Sequence, residues 1–422
     1  MTVSASTFCA FVTVGLGTGW IMVDASFANM GRLMAWHSQE GLLLPTHTDI
    51  AAKLSGLLVL SGCWVAIISR YSPSFAAFRR LLWTMYIVAF SSAVLEACLW
   101  SLSIDGIALF VIVPTGIGCA IGTLSVAVVN AFAPIFFDET VVAAMIAGNG
   151  VGGLIAGLLG LLQASVSGFD TTIYMLCIAG LIAVALLAWR HILHHELAFK
   201  ESTTDEASKT MSKYASGADD EGAALLQPEK ENKQANEGWL SILKLSAPLW
   251  AIGIPSQTAT WGVTFPSLQF ATAHAGCDCN TQAELPALTY SIAASSAFIL
   301  MPCGALLAHF VPVYDLRALA ALDVIQMVTL ALVMSAVTGQ PFMTCSETAR
   351  ITLIVSVAAM RLLDQYIITI LYQLAARRFE RRKDQVKKTA AFIFGQAMMM
   401  PQLVLGTVMF VLIQSRTVRC FL

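Results

Sequence analysis

Charged residues are scarce in this chain. Only 12% of its 422 residues are Asp, Glu, Lys or Arg, whereas 57% are hydrophobic, and the mean hydropathy is +0.74. A soluble protein of this size carries about a quarter charged residues. The composition therefore excludes an ordinary soluble globular protein and indicates a polytopic membrane protein.

Sequence motifs for nucleotide-driven or hydrolytic chemistry are also missing. The chain contains no Walker A loop, no HExxH, no GxSxG and no Cys/His metal set. The glycines of MIAGNGVGGLIAGLLGLLQ lack the strand–turn–helix context of a dinucleotide motif, so they predict close helix packing instead. We therefore expect neither an enzyme nor an ATP-driven pump, and we expect no metal, no cofactor and no nucleic-acid partner.

The ten cysteines do not form the framework of a secreted domain. Seven lie in or beside apolar segments, where a free cysteine behaves as a small hydrophobe. Cys277, Cys279 and Cys345 lie in predicted loops, and the sequence leaves open whether they form a disulfide. The N-terminal residues lack the positive region of a signal peptide, so the first apolar segment is expected to stay in the protein.

Long apolar segments dominate what is present. Because a helix needs about 20 apolar residues to cross the hydrocarbon core, the sequence predicts about eleven spans, near 6–30, 50–69, 79–100, 105–132, 141–164, 171–191, 243–270, 287–311, 316–337, 349–374 and 389–414. Lys and Arg collect in the connections after the second, sixth and tenth spans. The positive-inside rule then predicts a cytoplasmic N-terminus and an extracellular C-terminus.

Residues 192–242 differ in kind from the rest of the chain. The segment is polar, and ten of the 26 acidic residues lie between Glu196 and Glu237. Such a composition buries too little apolar surface to fold alone, which predicts a disordered acidic cytoplasmic linker. The linker would separate an N-terminal six-helix bundle, residues 1–191, from a C-terminal five-helix bundle, residues 243–422.

Ionisable residues within the predicted spans are candidates for function. Each costs about 2.5–3.5 kcal/mol on insertion scales, so each is expected to face protein or a water-filled cavity. Lys53 lies about one turn inside its span and is expected to snorkel towards the interface. The full set comprises Asp24, Lys53, Glu96, Asp323, Arg361 and Asp364.

Three of these residues leave structural and functional interpretations open. Arg361 and Asp364 are spaced i, i+3, which allows a local salt bridge as well as a part in gating or coupling. Glu96 lies near the end of the third span, where an interfacial and a buried coupling role are both consistent with the sequence.

The first span carries an acid between two aromatic residues. Trp20, Asp24 and Phe27 share one helix face by their spacing. A planar ring stacked between the aromatic side chains, with a carboxylate acceptor beside it, would fit that face. The alternative is that Asp24 pairs with a basic residue and that the rings belong to the core.

The seventh span combines aromatic rings and amides. Gln257, Trp261, Phe265 and Gln269 recur at near-helical spacing. Three prolines interrupt the same segment, and broken helices at membrane depth tend to lie at binding sites. This pattern suits a flat heteroaromatic ligand, although ordinary helix packing also accounts for it. The prolines are Pro248, Pro255 and Pro266.

Several stretches together resemble the eukaryotic riboflavin transporter family, which is related in architecture to the equilibrative nucleoside transporters. GTGWIMVDASF resembles that family's first-span pattern, with Trp20 at the conserved Trp, Asp24 replacing an Asn, Phe27 a second Trp and Asn29 a Glu. LLLPTHTDIAAKLSGL, VVNAFAPIF, AGNGVGGLIAGLLGLLQ and WGVTFPSLQ resemble further family stretches. The Asp-x-x-Gly-Arg signature of the nucleoside transporters is missing from the eighth span.

The resemblance implies an all-α polytopic membrane protein whose two bundles, six plus five helices, are arranged as in major facilitators or equilibrative nucleoside transporters. It implies inward transport of riboflavin, or a similar flat heteroaromatic nutrient, across the plasma membrane by alternating access. The expected substrate-binding residues are Trp20, Asp24, Phe27, Asn29, Asn130, Gln257, Trp261, Phe265 and Gln269. The possible gating or coupling residues are Glu96, Arg361 and Asp364.

Two alternative functions stay open at this point. One is a nucleoside or nucleobase carrier of the same architecture. The other is a membrane scaffold or receptor that binds cytoplasmic partners through its basic loop and acidic linker. The expected partners of a carrier are a small-molecule substrate and the lipid bilayer, and the sequence does not indicate an oligomeric state.

Overall fold

The chain is helical throughout the part that the structure describes. This computed structural model describes residues 5–37, 39–68, 75–125, 139–166, 168–215, 228–276, 284–344, 346–379, 394–395 and 397–408, and no β-strand occurs within them. Helices α1 to α7 are Ala5–Leu16, Trp20–Trp36, Leu44–Ile68, Phe75–Leu99, Leu109–Leu124, Glu139–Ser165 and Thr171–Ala215. Helices α8 to α13 are Pro228–Gln257, Phe265–Gly276, Glu284–Phe310, Leu316–Val337, Glu347–Phe379 and Ala397–Val408.

Many of these helices have the length and hydropathy of membrane spans. Six described helices qualify by themselves, and the bent pair α1–α2 makes a seventh if it is one span. Helices α5 and α13 are apolar but shorter. The all-helical polytopic fold predicted from composition is confirmed, while the count of eleven spans stays a prediction.

The first predicted span is broken into two helices. Helices α1 and α2 meet at a bend of 50°, where the sequence reads Gly17-Thr18-Gly19. A Cβ on Gly19 would lie 2.3 Å from the carbonyl oxygen of Gly118, and one on Gly17 would lie 2.2 Å from the Ala185 Cβ. The glycines therefore let the bend approach α5 and α7 more closely than any side chain would permit.

The segment predicted to be a disordered linker contains helix at both ends. Helix α7 continues past residue 192 to Ala215, and α8 begins at Pro228, well before residue 242. The structure thus gives helical backbone at residues 192–215 and 228–242, while the disordered linker stays a prediction. Residues 216–227 lie outside the described residues, and the division of the chain into three domains stays a prediction.

The glycine stripe of α6 packs helices together on two sides. A Cβ on Gly148 would lie 2.0 Å from the Val12 carbonyl oxygen of α1. On the neighbouring side, a Cβ on Gly157 would lie 2.7 Å from the Ser295 carbonyl oxygen of α10. Small residues at these positions let helix backbones meet directly. Helix α6 therefore joins the first half of the chain, which comprises α1 to α7, to the second half, which comprises α8 to α13.

The hydrophobic cores show how the two halves of the chain meet. One core, here called the shared core, combines residues of α2, α3 and α5 with residues of α9 to α12. It begins at the end of the bundle that carries the 37–43 connection, with Met34 and Met343, and it extends along the helices to Phe27, Phe265 and Phe298. Two further cores each draw on one half alone. The halves are therefore packed together most extensively at the 37–43 end.

Candidate functional site

Five aromatic side chains meet where the two halves face each other. Trp20 and Phe27 project from α2, Trp261 and Phe265 from the seventh predicted span, and Phe298 from α10. The ring centroids of Trp20 and Trp261 are 6.2 Å apart, and those of Phe27 and Phe265 are 6.1 Å apart. These five residues are called the ring cluster below.

The rings of the second half form a stack. Trp261 and Phe265 lie 4.9 Å apart at an interplanar angle of 20°, and Phe265 and Phe298 lie 5.5 Å apart at 25°. Offset stacking of this kind adds about 0.5–1.5 kcal/mol per pair beyond area burial. Because Phe27, Phe265 and Phe298 are buried, a ligand would have to separate the rings of α2 from the stack to lie between them.

The stack begins in an irregular turn. Residues Thr258–Thr264 form a π-helical segment between α8 and α9, just after Pro255 and just before Pro266. Proline has no N–H to donate, so the regular hydrogen-bond ladder cannot pass through it, and π turns occur often at functional sites. The predicted interruption of the seventh span is thus observed, and it places Trp261 on the side that faces α2.

A buried arginine lies against the ring cluster. The Arg361 guanidinium carbon lies 4.4 Å from the centroid of the Trp261 ring, within the range of a cation–π interaction. Arg361 Nη1 donates to Asp364 Oδ2 over 2.8 Å, and both side chains are buried. The local salt bridge anticipated from the i, i+3 spacing is therefore present, and the same arginine also contacts the rings.

Asp364 is held by a hydrogen-bond network within the second half. Gln257 Nε2 and Ser256 Oγ both donate to Asp364 Oδ1, over 2.7 Å and 3.0 Å. Ser256 Oγ also lies 2.8 Å from Gln326 Oε1 of α11, so its single proton is shared between the two acceptors, and Gln326 Nε2 donates to Thr260 Oγ1 over 3.0 Å. A satisfied network of this kind fixes the carboxylate, and through it the position of Arg361 over the rings.

Asp24 connects the first half to this charged group. Its side chain is 2% exposed, and a Cβ on Gly153 would lie 3.1 Å from Asp24 Oδ2. Arg361 lies near enough to interact electrostatically with the Asp24 carboxylate. Two carboxylates, one from each half, therefore lie within electrostatic range of one buried guanidinium, which forms its salt bridge with Asp364.

Asn29 and Glu96 lie elsewhere, inside the first half. Asn29 Oδ1 accepts from Thr171 of α7 over 3.4 Å, while its Nδ2 atom has no hydrogen-bond partner. Glu96 is buried and accepts from Ser26 Oγ over 3.3 Å. The structure therefore brings neither residue against the ring cluster.

The remaining predicted site residues have different outcomes. Gln269 of α9 donates through Nε2 to Thr46 Oγ1 of α3 over 3.0 Å, so it connects the two halves one helical turn after Phe265. Asn130, Cys277, Cys279 and Cys345 lie outside the described residues. Whether the assembled residues bind substrate stays a prediction.

The expectation that Lys53 snorkels to the interface is wrong. Its side chain is buried and forms an ion pair with Asp49 one turn earlier on α3. A charge that cannot reach water must be paired, and Asp49 supplies the opposite charge. The i, i+4 spacing of Asp49 and Lys53 indicates a possible ion pair. The prediction did not include it, because the predicted span begins at residue 50, after Asp49.

Other residues at the site escaped the sequence reasoning for lack of any signal. Phe298 lies in the apolar run SAFIL, where an aromatic residue does not differ from its hydrophobic neighbours. Ser256 and Gln326 are ordinary polar residues in predicted spans, and 70 positions separate them. Tertiary packing alone places Phe298 in the ring cluster, and it alone places Ser256 and Gln326 in the network that holds Asp364.

Comparisons with known proteins agree with the architecture. No protein-family model and no curated protein matches the chain. A crystal structure of a D-xylose–proton symporter is similar with a TM-score of 0.51 and 13% identity, covering 96% of this chain and 89% of that one. A POT family transporter in complex with 5-aminolevulinic acid gives 0.51 and 11%, covering 99% and 94%.

A third solved structure, the nucleoside transporter NupG, gives a TM-score of 0.48 with 9% identity and covers 99% of this chain and 98% of that one. At such identities, the likeness to the two structures with higher TM-scores concerns the fold alone. The chain therefore has the all-helical, polytopic fold of major-facilitator-type membrane proteins.

Proposed function

We propose that the chain is a transporter that moves riboflavin, or a similar flat heteroaromatic nutrient, inward across the plasma membrane by alternating access. The observation that carries the proposal is the ring cluster, whose aromatic side chains come from both halves and lie against buried charged groups. The fold, which is that of major-facilitator-type proteins, supports a carrier.

The ring cluster suits a flat ligand. A planar heterocycle would enter between two sets of ring faces. One set is Trp20 and Phe27, and the other is the stacked Trp261 and Phe265. Binding sites for small molecules are mostly apolar with a few well-placed polar groups. Here Asp24, Arg361 and Gln257 supply the polar groups that would fix the orientation of the ring.

The arrangement of the cores suits alternating access. The shared core joins the halves from the 37–43 end, two further cores belong to one half each, and a small core of Leu60, Met399 and Leu403 joins α3 to α13. With the predicted cytoplasmic N-terminus, the 37–43 connection is extracellular, so the structure corresponds to a state closed on the outside. Transport would require the part of the shared core nearest the 37–43 connection to open and give access to the ring cluster, which forms the inner part of the same core.

The test is uptake of radiolabelled solute by transporter-null cells that express the full chain. We expect saturable riboflavin uptake that excess unlabelled riboflavin abolishes and excess adenosine leaves unchanged. Preferential inhibition by adenosine, together with adenosine uptake, would show a nucleoside carrier instead. Surface expression with uptake of neither solute would contradict transport of a flat heteroaromatic nutrient.

A further inference from the structure

Helix α3 presents a polar face inside the membrane region. Thr46, Asp49 and Lys53 follow one another at i, i+3 and i+7, which puts them on one side of the helix. All three are buried, with exposures of 0%, 5% and 5%. These residues are called the α3 polar face, and they lie outside the network that holds Asp364.

The charges of the α3 polar face balance, but its hydrogen-bonding capacity is not used up. Lys53 and Asp49 form an ion pair, so the face carries no net charge. An ammonium has three donors and a carboxylate has about four acceptor sites. Among the described residues, Lys53 donates a hydrogen bond to Asp49. The remaining donors of Lys53 and the remaining acceptor sites of Asp49 therefore lie side by side.

Glycines of the second half bring Lys53 to the edge of the ring cluster. A Cβ on Gly406 of α13 would lie 2.7 Å from Lys53 Nζ and 2.9 Å from the Gly262 Cα. Gly262 directly follows Trp261 in the π-helical segment. The ammonium group therefore lies in the gap that two glycines leave, one residue away from the ring stack.

Polar atoms without partners face the same region from the second half. Gln402 lies one turn before Gly406 on α13, and its Oε1 atom is buried without a hydrogen bond. The Oε1 atom of Gln269, whose amide nitrogen bonds Thr46, is also unpartnered. The hydroxyl of Tyr290 is a third such atom, and it lies within electrostatic range of Asp49.

Each of these buried polar atoms carries a cost. A buried donor or acceptor without a partner costs about 1–3 kcal/mol, and native proteins retain few such groups. Three of them beside an ion pair, in the interface between halves that must separate during transport, indicate a place where a polar ligand completes the hydrogen bonds.

We infer that the α3 polar face, together with Gln269, Tyr290 and Gln402, is a subsite for a polyhydroxylated chain or sugar attached to the planar ring. Hydroxyl groups both donate and accept, which matches an ammonium, a carboxylate and amide oxygens placed together. An anionic group would need excess positive charge, and the Lys53–Asp49 pair is neutral overall. The inference rests on the proposed function, because the ring cluster must first hold the planar part.

The test compares competitors that share a ring but differ in the chain. Uptake of radiolabelled riboflavin by cells expressing the full protein is inhibited with riboflavin, which carries a ribityl chain, or with lumiflavin, which has a methyl group in its place. Adenosine and adenine form the equivalent pair if uptake proves to be of nucleosides. The measured quantity is the ratio of the two inhibition constants.

The central variant removes both charges at once, as Asp49→Leu with Lys53→Met, so that no unpaired charge stays buried. We expect the chain-bearing competitor to lose about tenfold in potency, as expected for one charge-assisted hydrogen bond, while the bare ring keeps its potency. Two single variants, Gln402→Leu and Gly406→Ala, should shift the ratio of inhibition constants in the same direction, the second because it crowds the ammonium group. They provide the test if the double variant does not reach the cell surface.

The matched control is Gln163→Leu. Gln163 is a buried amide of α6 that donates to Thr171 of α7 and contacts neither α3 nor α13 in any hydrogen bond of the described residues, and its loss should leave the ratio unchanged. An unchanged ratio in the α3 and α13 variants, or equal losses for both competitors, would overturn the subsite while leaving the transporter intact. Absence of uptake by the unaltered protein would overturn the proposed function, and the subsite with it.

Discussion

Arg361 is the residue on which the charged part of the site depends. It contacts the Trp261 ring, bonds Asp364 on its own helix and interacts with Asp24 of the other half. A buried guanidinium is tolerated when its charge is paired and its donors are used. Asp364 provides that pairing on the same helix, while Asp24 of the other half lies within electrostatic range, so a movement of the halves would change the electrostatic environment of Arg361.

The first prediction concerns Asp24. Replacing Asp24 by Asn removes the carboxylate from the first half while keeping its size, and we expect uptake to fall by about tenfold or more, because an interaction with a charged partner is lost. Radiolabelled uptake is measured together with surface abundance. Asp105→Asn is the control, since Asp105 is exposed in the 100–108 connection. Uptake unchanged in Asp24→Asn would remove Asp24 from the site.

The second prediction concerns Trp261. Trp261→Leu removes the face that stacks on Phe265 and receives Arg361. We expect the KM for uptake to rise by about three- to tenfold, the worth of one aromatic contact. Trp36→Leu, at a ring that is 59% exposed, should leave the KM unchanged. Equal effects of the two substitutions would show that the loss is not specific to the ring cluster.

Helix α6 connects the two halves through its glycines and contributes no side chain to the ring cluster. Its glycines let it contact α1 on one side and α10 on the other at backbone distance. The π-helical segment between α8 and α9 acts differently, since it redirects the helix so that Trp261 faces α2. Both elements set the contacts between the halves through backbone geometry.

The third prediction is made at the scale of these elements. Gly157→Ala would place a Cβ 2.7 Å from the Ser295 carbonyl oxygen, so α6 and α10 must separate slightly. We expect a loss of about 1–3 kcal/mol in stability, as for other overpacked sites, seen as a lower midpoint in a heat challenge of the detergent-purified protein.

Gly180→Ala provides the matched control for this experiment. A Cβ on Gly180 of α7 would contact nothing within 4 Å, and alanine favours helix more than glycine does. We expect an unchanged or slightly higher midpoint. A midpoint lowered as much by Gly180→Ala as by Gly157→Ala would contradict the packing argument.

The whole molecule is organised around an interface that is closed at one end. The shared core joins both halves at the 37–43 end, and the ring cluster with the charged groups lies where the halves face each other. The proposed transport cycle would have to open part of this core, which makes the contact between α2 and α10 a point where the halves can be locked together.

The fourth prediction tests this lock. Ala28 Cβ of α2 and Ser295 Oγ of α10 both lie within 3.1 Å of the position that a Cβ on Gly160 would take. We expect a disulfide between Ala28→Cys and Ser295→Cys to abolish uptake, and reduction to restore it, because the halves can no longer separate. Mass spectrometry confirms the cross-link. Each single-cysteine variant should transport normally under oxidation, and full uptake by the cross-linked protein would contradict alternating access at this contact.

Much of the fold follows from the sequence because membranes leave few alternatives. Long apolar segments must be helices, since unpaired backbone groups cannot face lipid, and the interruption of the seventh span follows from its prolines. The Arg361–Asp364 bond follows from local spacing. The interior polar pair Asp49 and Lys53 was missed, because the boundary drawn for the span separated the two residues.

The sequence by itself determined that this is a polytopic helical protein whose first and seventh spans carry rings beside polar groups, because hydropathy and helical spacing are local properties. Only the tertiary structure decided that Trp20 meets Trp261, that Asp24 and Asp364 both lie within electrostatic range of Arg361, that Asn29 and Glu96 lie apart from them, and that Lys53 faces Gly406. The contacts of Trp20, Asp24 and Lys53 with the second half join residues more than 200 positions apart, so local sequence patterns carry no information about them.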